Sequence, residues 1–218
     1  MKTFTDQLGT LHQFENTPKR IVSLVPSQTE LLYELGLEDS IVGITKFCVH
    51  PVHFKSTKKI VGGTKQVKID KIRELQPNII IANKEENTKE DIELLVSKYE
   101  VLLTDIHTLD DAFFYLLEIG ERVNRVEAAR SLVDQIKKDF QALGPIGKGA
   151  SFLYFIWKDP YFVVGPQTYI HALLTHFGLV NFCEIERYPD LDQVLANKAK
   201  LSSKPDFSPD YIFLSSEP

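Results

Sequence analysis

The sequence predicts an α/β fold of two similar lobes with parallel sheets, on three observations. Apolar runs of strand length alternate with helical periodicity along the chain. Two segments of the first half return in the second: VPSQTELLYELGL (Val25 to Leu37) is echoed by VGPQTYIHALLTHFGL (Val164 to Leu179), and LQPNIIIANKEE (Leu75 to Glu86) by FSPDYIFLSSEP (Phe207 to Pro218). One Gly/Pro-rich break, GPIGKGA (Gly144 to Ala150), separates the halves after a long helical pattern.

In order, RIVSLVP reads as a buried strand and Ser27 to Leu35 as a helix ending at Gly36, a residue suited to the C′ position. SIVGI is a strand; after a loop of Lys46 to Lys59, KIVGG is a short strand and KIDKIRELQ a short amphipathic helix. NIIIA, introduced by Pro77, is a buried strand, TKEDIELLVSKY a helix and VLLTDI a strand. From Leu109 to about Leu143 apolar residues recur at three- and four-residue steps, weakened only at Gly120 and near Asn124. Two consecutive helices are expected, the second from about Arg125 to Leu143, spanning roughly 27 Å at 1.5 Å per residue.

The halves then divide as residues 1–124, a helix and linker at 125–149, and residues 150–218. In the second half an apolar strand leads to Trp157, and the spacing from Thr168 to Gly178 predicts a helix one turn longer than its counterpart between Thr29 and Gly36. Parallel sheets place ligands beyond the carboxyl ends of their strands, so the loops there are the candidate site.

Composition narrows the function. The chain has 218 residues, 43% apolar and 25% charged, ordinary for a globular protein. A formal net charge of -5 leaves no excess of Lys and Arg to displace counterions, which argues against a nucleic-acid partner. Cys48 and Cys183 lack CxxC spacing, and neither a GxGxxG nor a Walker A pattern occurs. The N-terminus has no apolar core of the kind a secretory signal needs, and no apolar stretch approaches ~18 residues, so the chain as given reads as cytosolic or already trimmed.

Ser27 with Glu30 three positions on reads as a capping box rather than a nucleophile elbow, since its flanks are Val25-Pro26 and Gln28-Thr29. Cys48, His50 and His53 form a CxHxxH cluster with metal-ligand chemistry; the competing reading is an inward-packed Cys with solvent-facing His residues. His107, His171 and His176 are scattered and read as core or surface residues. Trp157, ahead of Asp159-Pro160-Tyr161, stands either at a strand tip as a contact surface or half-buried under a loop. Arg187-Tyr188-Pro189 adds a cation and an aromatic, which together suit a bulky, flat, anionic or polar ligand.

With these residues placed, the chain resembles the helical-backbone, class III periplasmic substrate-binding proteins of ABC importers for cobalamin, ferric siderophores and haem. RIVSLVPSQTELLYELGL, VGGTKQVKIDKIRELQPNIIIANKEEN, the long helix, FIWKDPYFVVGPQTYIHALLTHFG and RYPDL stand in that family's order from Arg20 to Pro218. The resemblance implies two Rossmann-like lobes bridged by a rigid helix, with a metal chelate, cobalamin or a ferric siderophore, held between them. It implies no enzymatic activity and no resident cofactor. It puts Ser27, Phe47, Asn83, Lys84, Trp157, Tyr161, Arg187 and Tyr188 around the ligand, and Glu86 or Glu90 against arginines of a membrane permease. It also implies a periplasmic or cell-surface location, and a further βα unit and closing helix beyond YIFLSSEP, which would leave this second lobe incomplete. Two alternatives remain: a haem receptor with Tyr161, Tyr188 or a His as axial ligand, and a cytosolic metal-dependent enzyme using the Cys48/His50/His53 loop.

Overall fold

The computed structural model describes residues 2–5, 11–14, 17–201 and 208–215. The chain forms two compact units, Met1–Asp105 with Phe114–Val133, and Ile106–Phe113 with Asp134–Pro218.

The first unit opens with an antiparallel pair, β1 (Lys2–Thr5) and β2 (Leu11–Phe14). There follow β3 (Ile21–Ser23), α1 (Pro26–Glu34), β4 (Ile41–Ile44), α2 (Phe54–Thr57), β5 (Lys59–Ile60), α3 (Ile69–Leu75), β6 (Ile79–Asn83), α4 (Lys89–Val96) and β7 (Val101–Thr104). The five later strands make one parallel sheet in the order β5-β4-β3-β6-β7. The chain winds outward from β3 through β4 to β5, then returns across β3 to β6 and β7. That reversal makes a topological switch point between β3 and β6. Ile79, Ile80, Ile81 and Ala82 are all fully buried, as a strand covered on both faces requires.

Two expectations in this unit are corrected. The capping box does not form: Val25 is the N-cap, extended at φ -137, and no side chain caps the helix. Pro26, with its fixed φ and no N–H, takes the first helical position and moves Ser27 into the first turn, where it is exposed. The strand at KIVGG stops at Ile60 because Gly62 turns the chain at φ +124, where a Cβ would lie 2.4 Å from the Gln66 carbonyl oxygen.

The long helical pattern divides as expected into α5 (Leu109–Arg122) and α6 (Val126–Leu143). Asn124 sits in the left-handed region at φ 55, and the Arg125 N–H closes the turn on the Gly120 carbonyl at 2.7 Å. The helices cross where a Cβ on Gly120 would come within 2.3 Å of the Ala129 methyl. Residues of α6 through Val133 belong to the first unit and those from Asp134 to the second.

The second unit holds β8 (Ser151–Trp157), β9 (Phe162–Val163), α7 (Tyr169–His176), β10 (Val180–Asn181), α8 (Leu191–Leu201) and β11 (Tyr211–Leu214). Strands β10 and β11 flank β8 in parallel, while β9 pairs with it antiparallel, an exception to the all-parallel expectation. The cause is local: Asp159, left-handed at φ 61, folds the chain straight back after Trp157. Leu153, Val163, Phe182, Cys183 and Val194 form the core of this unit.

The expected extra turn of α7 is absent; α7 has 8 residues and α1 has 9. Thr168 is the N-cap, its side chain accepting from the His171 N–H, whereas Thr29 lies inside α1. The shared Gln-Thr pair therefore occupies different helical positions. The second echo survives where it is described, while Phe207 and residues 216–218 lie outside the described residues. Asn78, before β6, accepts the Arg20 N–H at 3.0 Å, and Asp210, before β11, accepts the Ser151 N–H at 2.7 Å. In each unit the residue after a proline ties the start of one strand to the start of its parallel neighbour.

Candidate functional site

In the first unit, Asn83 ends β6, and Ser27, Phe47 and Lys84 follow the carboxyl ends of β3, β4 and β6 in the same parallel sheet, so the fold gathers the four along a single edge. Ser27 and Asn83 flank the switch point, which is stiffened from below by a side-chain network. Gln28 donates through Nε2 to the Ala82 carbonyl (3.1 Å) and to Thr104 Oγ1 (2.8 Å). Its Oε1 is buried with no hydrogen-bond partner among the described residues. Asn83 faces its own loop: Oδ1 accepts from the Glu85 and Glu86 N–H groups at 2.9 and 3.2 Å, and Nδ2 donates to Thr104 Oγ1 at 3.1 Å. Lys84 pairs with Asp105 at 2.6 Å. Phe47 is 48% exposed, with Lys46 Nζ 4.8 Å from its ring centroid. Glu86 and Glu90, in the loop after β6 and the first turn of α4, are exposed.

The structure does not bring Cys48, His50 and His53 together. Cys48 is fully buried, its Sγ 3.1 Å from Thr29 Oγ1 and 3.3 Å from Thr45 Oγ1. His50 is exposed, and His53 Nε2 lies 2.7 Å from Glu38 Oε1. Among the described residues no three His, Cys, Asp or Glu side chains gather as a metal site would need.

In the second unit Trp157 ends β8 and is 59% exposed, so it is no loop-covered residue. Tyr161 is also exposed, edge-on to Phe155 at 5.6 Å between centroids. Arg187 lies 5.6 Å from the Tyr188 ring centroid. Its loop is fixed on the turn before α7: Gly165 N donates to the Arg187 carbonyl (2.7 Å) and Arg187 N to the Pro166 carbonyl (2.8 Å). Both Gln167 (φ 62) and Arg187 (φ 65) are held left-handed, a local strain that neighbouring hydrogen bonds sustain.

Arg187 and the turn before α7 lie on an open cleft of about 410 Å³ in this unit, lined by His107, Thr108, Gln167, Thr168, His171 and Arg187. The histidines were read from sequence as scattered, but the fold brings two of them to one wall. One sequence signal pointed there: Thr108-x-x-Asp111 has capping-box spacing. The Asp111 carboxylate accepts the His107 and Thr108 N–H groups at 3.1 and 2.9 Å. Burial works to raise its pKa, but hydrogen bonding with Thr108 and with these backbone groups outweighs that and holds it below the usual carboxylate value. His171 is lowered by burial, so its imidazole is neutral at pH 7. The Asn181 amide donates to the Val164 carbonyl and its Oδ1 accepts from Cys183 N, which orients Nδ2 toward His171 Nδ1 at 3.1 Å. His171 Nδ1 is then the acceptor, and Nε2 carries the proton.

A family model described as periplasmic binding protein matches residues 21–217. The chain belongs to this family. An uncharacterised ABC transporter substrate-binding lipoprotein of Bacillus subtilis is 29% identical over 168 residues, 72% of this chain and 53% of the relative. A vitamin B12-binding protein of Pectobacterium carotovorum is 25% identical over 170 residues, 75% of this chain and 61% of the relative. The chain thus spans little more than half the length of these curated family members. Among solved structures, the periplasmic vitamin B12-binding protein of Vibrio cholerae superposes with a TM-score of 0.76 at 21% identity, covering 92% of this chain and 77% of that one. A periplasmic haem-binding protein of Pseudomonas aeruginosa gives 0.75 at 20% identity, covering 90% and 71%. The fold is the α/β architecture of class III binding proteins. No described helix is long and apolar enough to cross a membrane.

Proposed function

We propose that this chain is the receptor component of an ABC importer, a non-enzymatic binder of a metal chelate of the cobalamin, ferric-siderophore or haem class. The observation that carries the reading is the family match over residues 21–217, joined to the gathering of Ser27, Phe47, Asn83 and Lys84 on one sheet edge. Trp157, exposed at the carboxyl end of β8, and Tyr161, exposed in the turn after it, supply aromatic area of the kind a large flat guest needs. The relatives named as lipoprotein or periplasmic support work outside the cytoplasmic membrane; Glu86 or Glu90, both exposed, would face the permease.

Trp157 is the only tryptophan, so its fluorescence reports binding. Titration with cyanocobalamin, haemin and a ferric tris-catecholate should quench it with sub-micromolar affinity for at least one, equivalent to at least about 8 kcal/mol. Absence of a response to all three chelates, checked by calorimetry, refutes the reading.

A further inference from the structure

Charge is distributed unevenly over the first unit. Residues 46–73 hold eight of the chain's 25 Lys and Arg but one of its 30 Asp and Glu, a net +7 within a chain of net -5. The fold keeps this segment together at one end of the first sheet, where β5 is the edge strand. Lys59 lies in β5, Lys46 N donates to the Gly62 carbonyl at 2.8 Å and Lys68 N to the Val61 carbonyl at 2.7 Å, so the three lysines flank one short stretch of chain. Lys58, Lys65 and Lys71 donate to the carbonyls of Glu38, Glu85 and Ile60, which leaves their charge unmatched. Among the described residues only Arg73 of this set is paired with a carboxylate, that of Asp70. Lys46, Lys55, Lys59 and Lys68 are all exposed.

Apolar residues stand in the middle of this charge. Val52 is 73% exposed and Val49 40%. Neither is free to turn inward, because the loop is anchored on both sides of them. Cys48 and Phe54 are fully buried, and His53 Nε2 lies 2.7 Å from Glu38 Oε1 with its ring edge-on to Phe54. Lysines alone make a solvated face, and on an edge strand they also block strand pairing. Exposed aliphatic side chains set among lysines do more: at a bilayer surface the apolar groups enter the boundary of the acyl layer while the cations meet phosphate. A valine offers no ring for a base to stack on, which separates this face from a single-stranded nucleic-acid surface. We infer that Val49 and Val52, with Lys46, Lys55, Lys59 and Lys68, form a docking face for an anionic phospholipid bilayer. The inference needs no ligand and stands apart from the chelate-receptor reading.

The test is flotation of the full chain with vesicles of phosphatidylcholine, alone or with about 30% phosphatidylglycerol. The anionic vesicles should bind at least about tenfold more tightly, and raising salt from about 0.05 to 0.5 M should remove most of that preference. Lys55→Glu with Lys59→Glu should weaken binding to the anionic vesicles at least about tenfold, and Val52→Ser about threefold. Lys98→Glu with Lys138→Glu makes the same change of net charge at exposed sites elsewhere and should stay within about twofold. Circular dichroism verifies the fold of each variant. Equal binding to both vesicle types, binding to neither, equal losses in the two double variants, or no loss in Val52→Ser overturns the bilayer face. Chelate binding without vesicle binding overturns this inference and leaves the receptor reading intact; vesicle binding without any chelate does the reverse.

Discussion

A Cβ on Gly165 would stand 1.8 Å from the Ile185 carbonyl oxygen and 3.2 Å from that of Arg187. Backbone cannot yield to such a contact without moving the loop that presents Arg187. Gly165→Ala should therefore cost about 1 to 3 kcal/mol through overpacking. At roughly 2 to 4 °C per kcal/mol for a chain of this size, the melting temperature falls by several degrees. Calorimetric melting checks this, and a change below about 1 °C would mean the loop relaxes freely. Residue-scale chemistry also explains why two site histidines were obscure in the sequence. His107 and His171 are 64 positions apart, and only the juxtaposition of the α5 start with the α7 start puts them on one wall. Nothing in local spacing encodes that meeting.

At the scale of elements, the tie from Asp210 to Ser151 holds the start of β11 to the start of β8. Asp210 is lowered by the Ser151 backbone N–H and then by the Ser151 hydroxyl. A depressed carboxylate stabilises the fold above its unfolded pKa, near 3.9, and that contribution disappears as pH falls through the lower folded value. Asp210→Asn should melt earlier than the parent at pH 6, with the gap closing below about pH 4; a gap constant from pH 6 to 3 contradicts the assignment. Most elements were legible because their patterns have few competitors. Continuous runs such as Ile79 to Ala82 mark strands buried on both faces, and the weak point near Asn124 marks the α5–α6 turn. What escaped depends on choices only tertiary structure resolves. Pro26, not Ser27, starts α1; Asp159 reverses the chain to make β9; and the pair β1–β2 carries no apolar signature in MKTFTDQLGTLHQFENTPKR. The switch point was implicit in the βα alternation, but its flanking pair, Ser27 and Asn83, required the strand order.

At the scale of the whole molecule, the receptor proposal separates ligand capture from delivery. Glu86→Lys with Glu90→Lys reverses exposed charge at the carboxyl edge of the first sheet without touching its core. The double variant should bind its chelate within about twofold of the parent and lose most uptake in a reconstituted importer; retained uptake would remove these residues from docking. Cys48 is fully buried and Cys183 is 1% exposed, both as free thiols. Sulfur chemistry at the folded surface is consequently silent. One engineered cysteine on any exposed loop would give maleimide dyes or spin labels a single attachment point, with no need to delete the native pair.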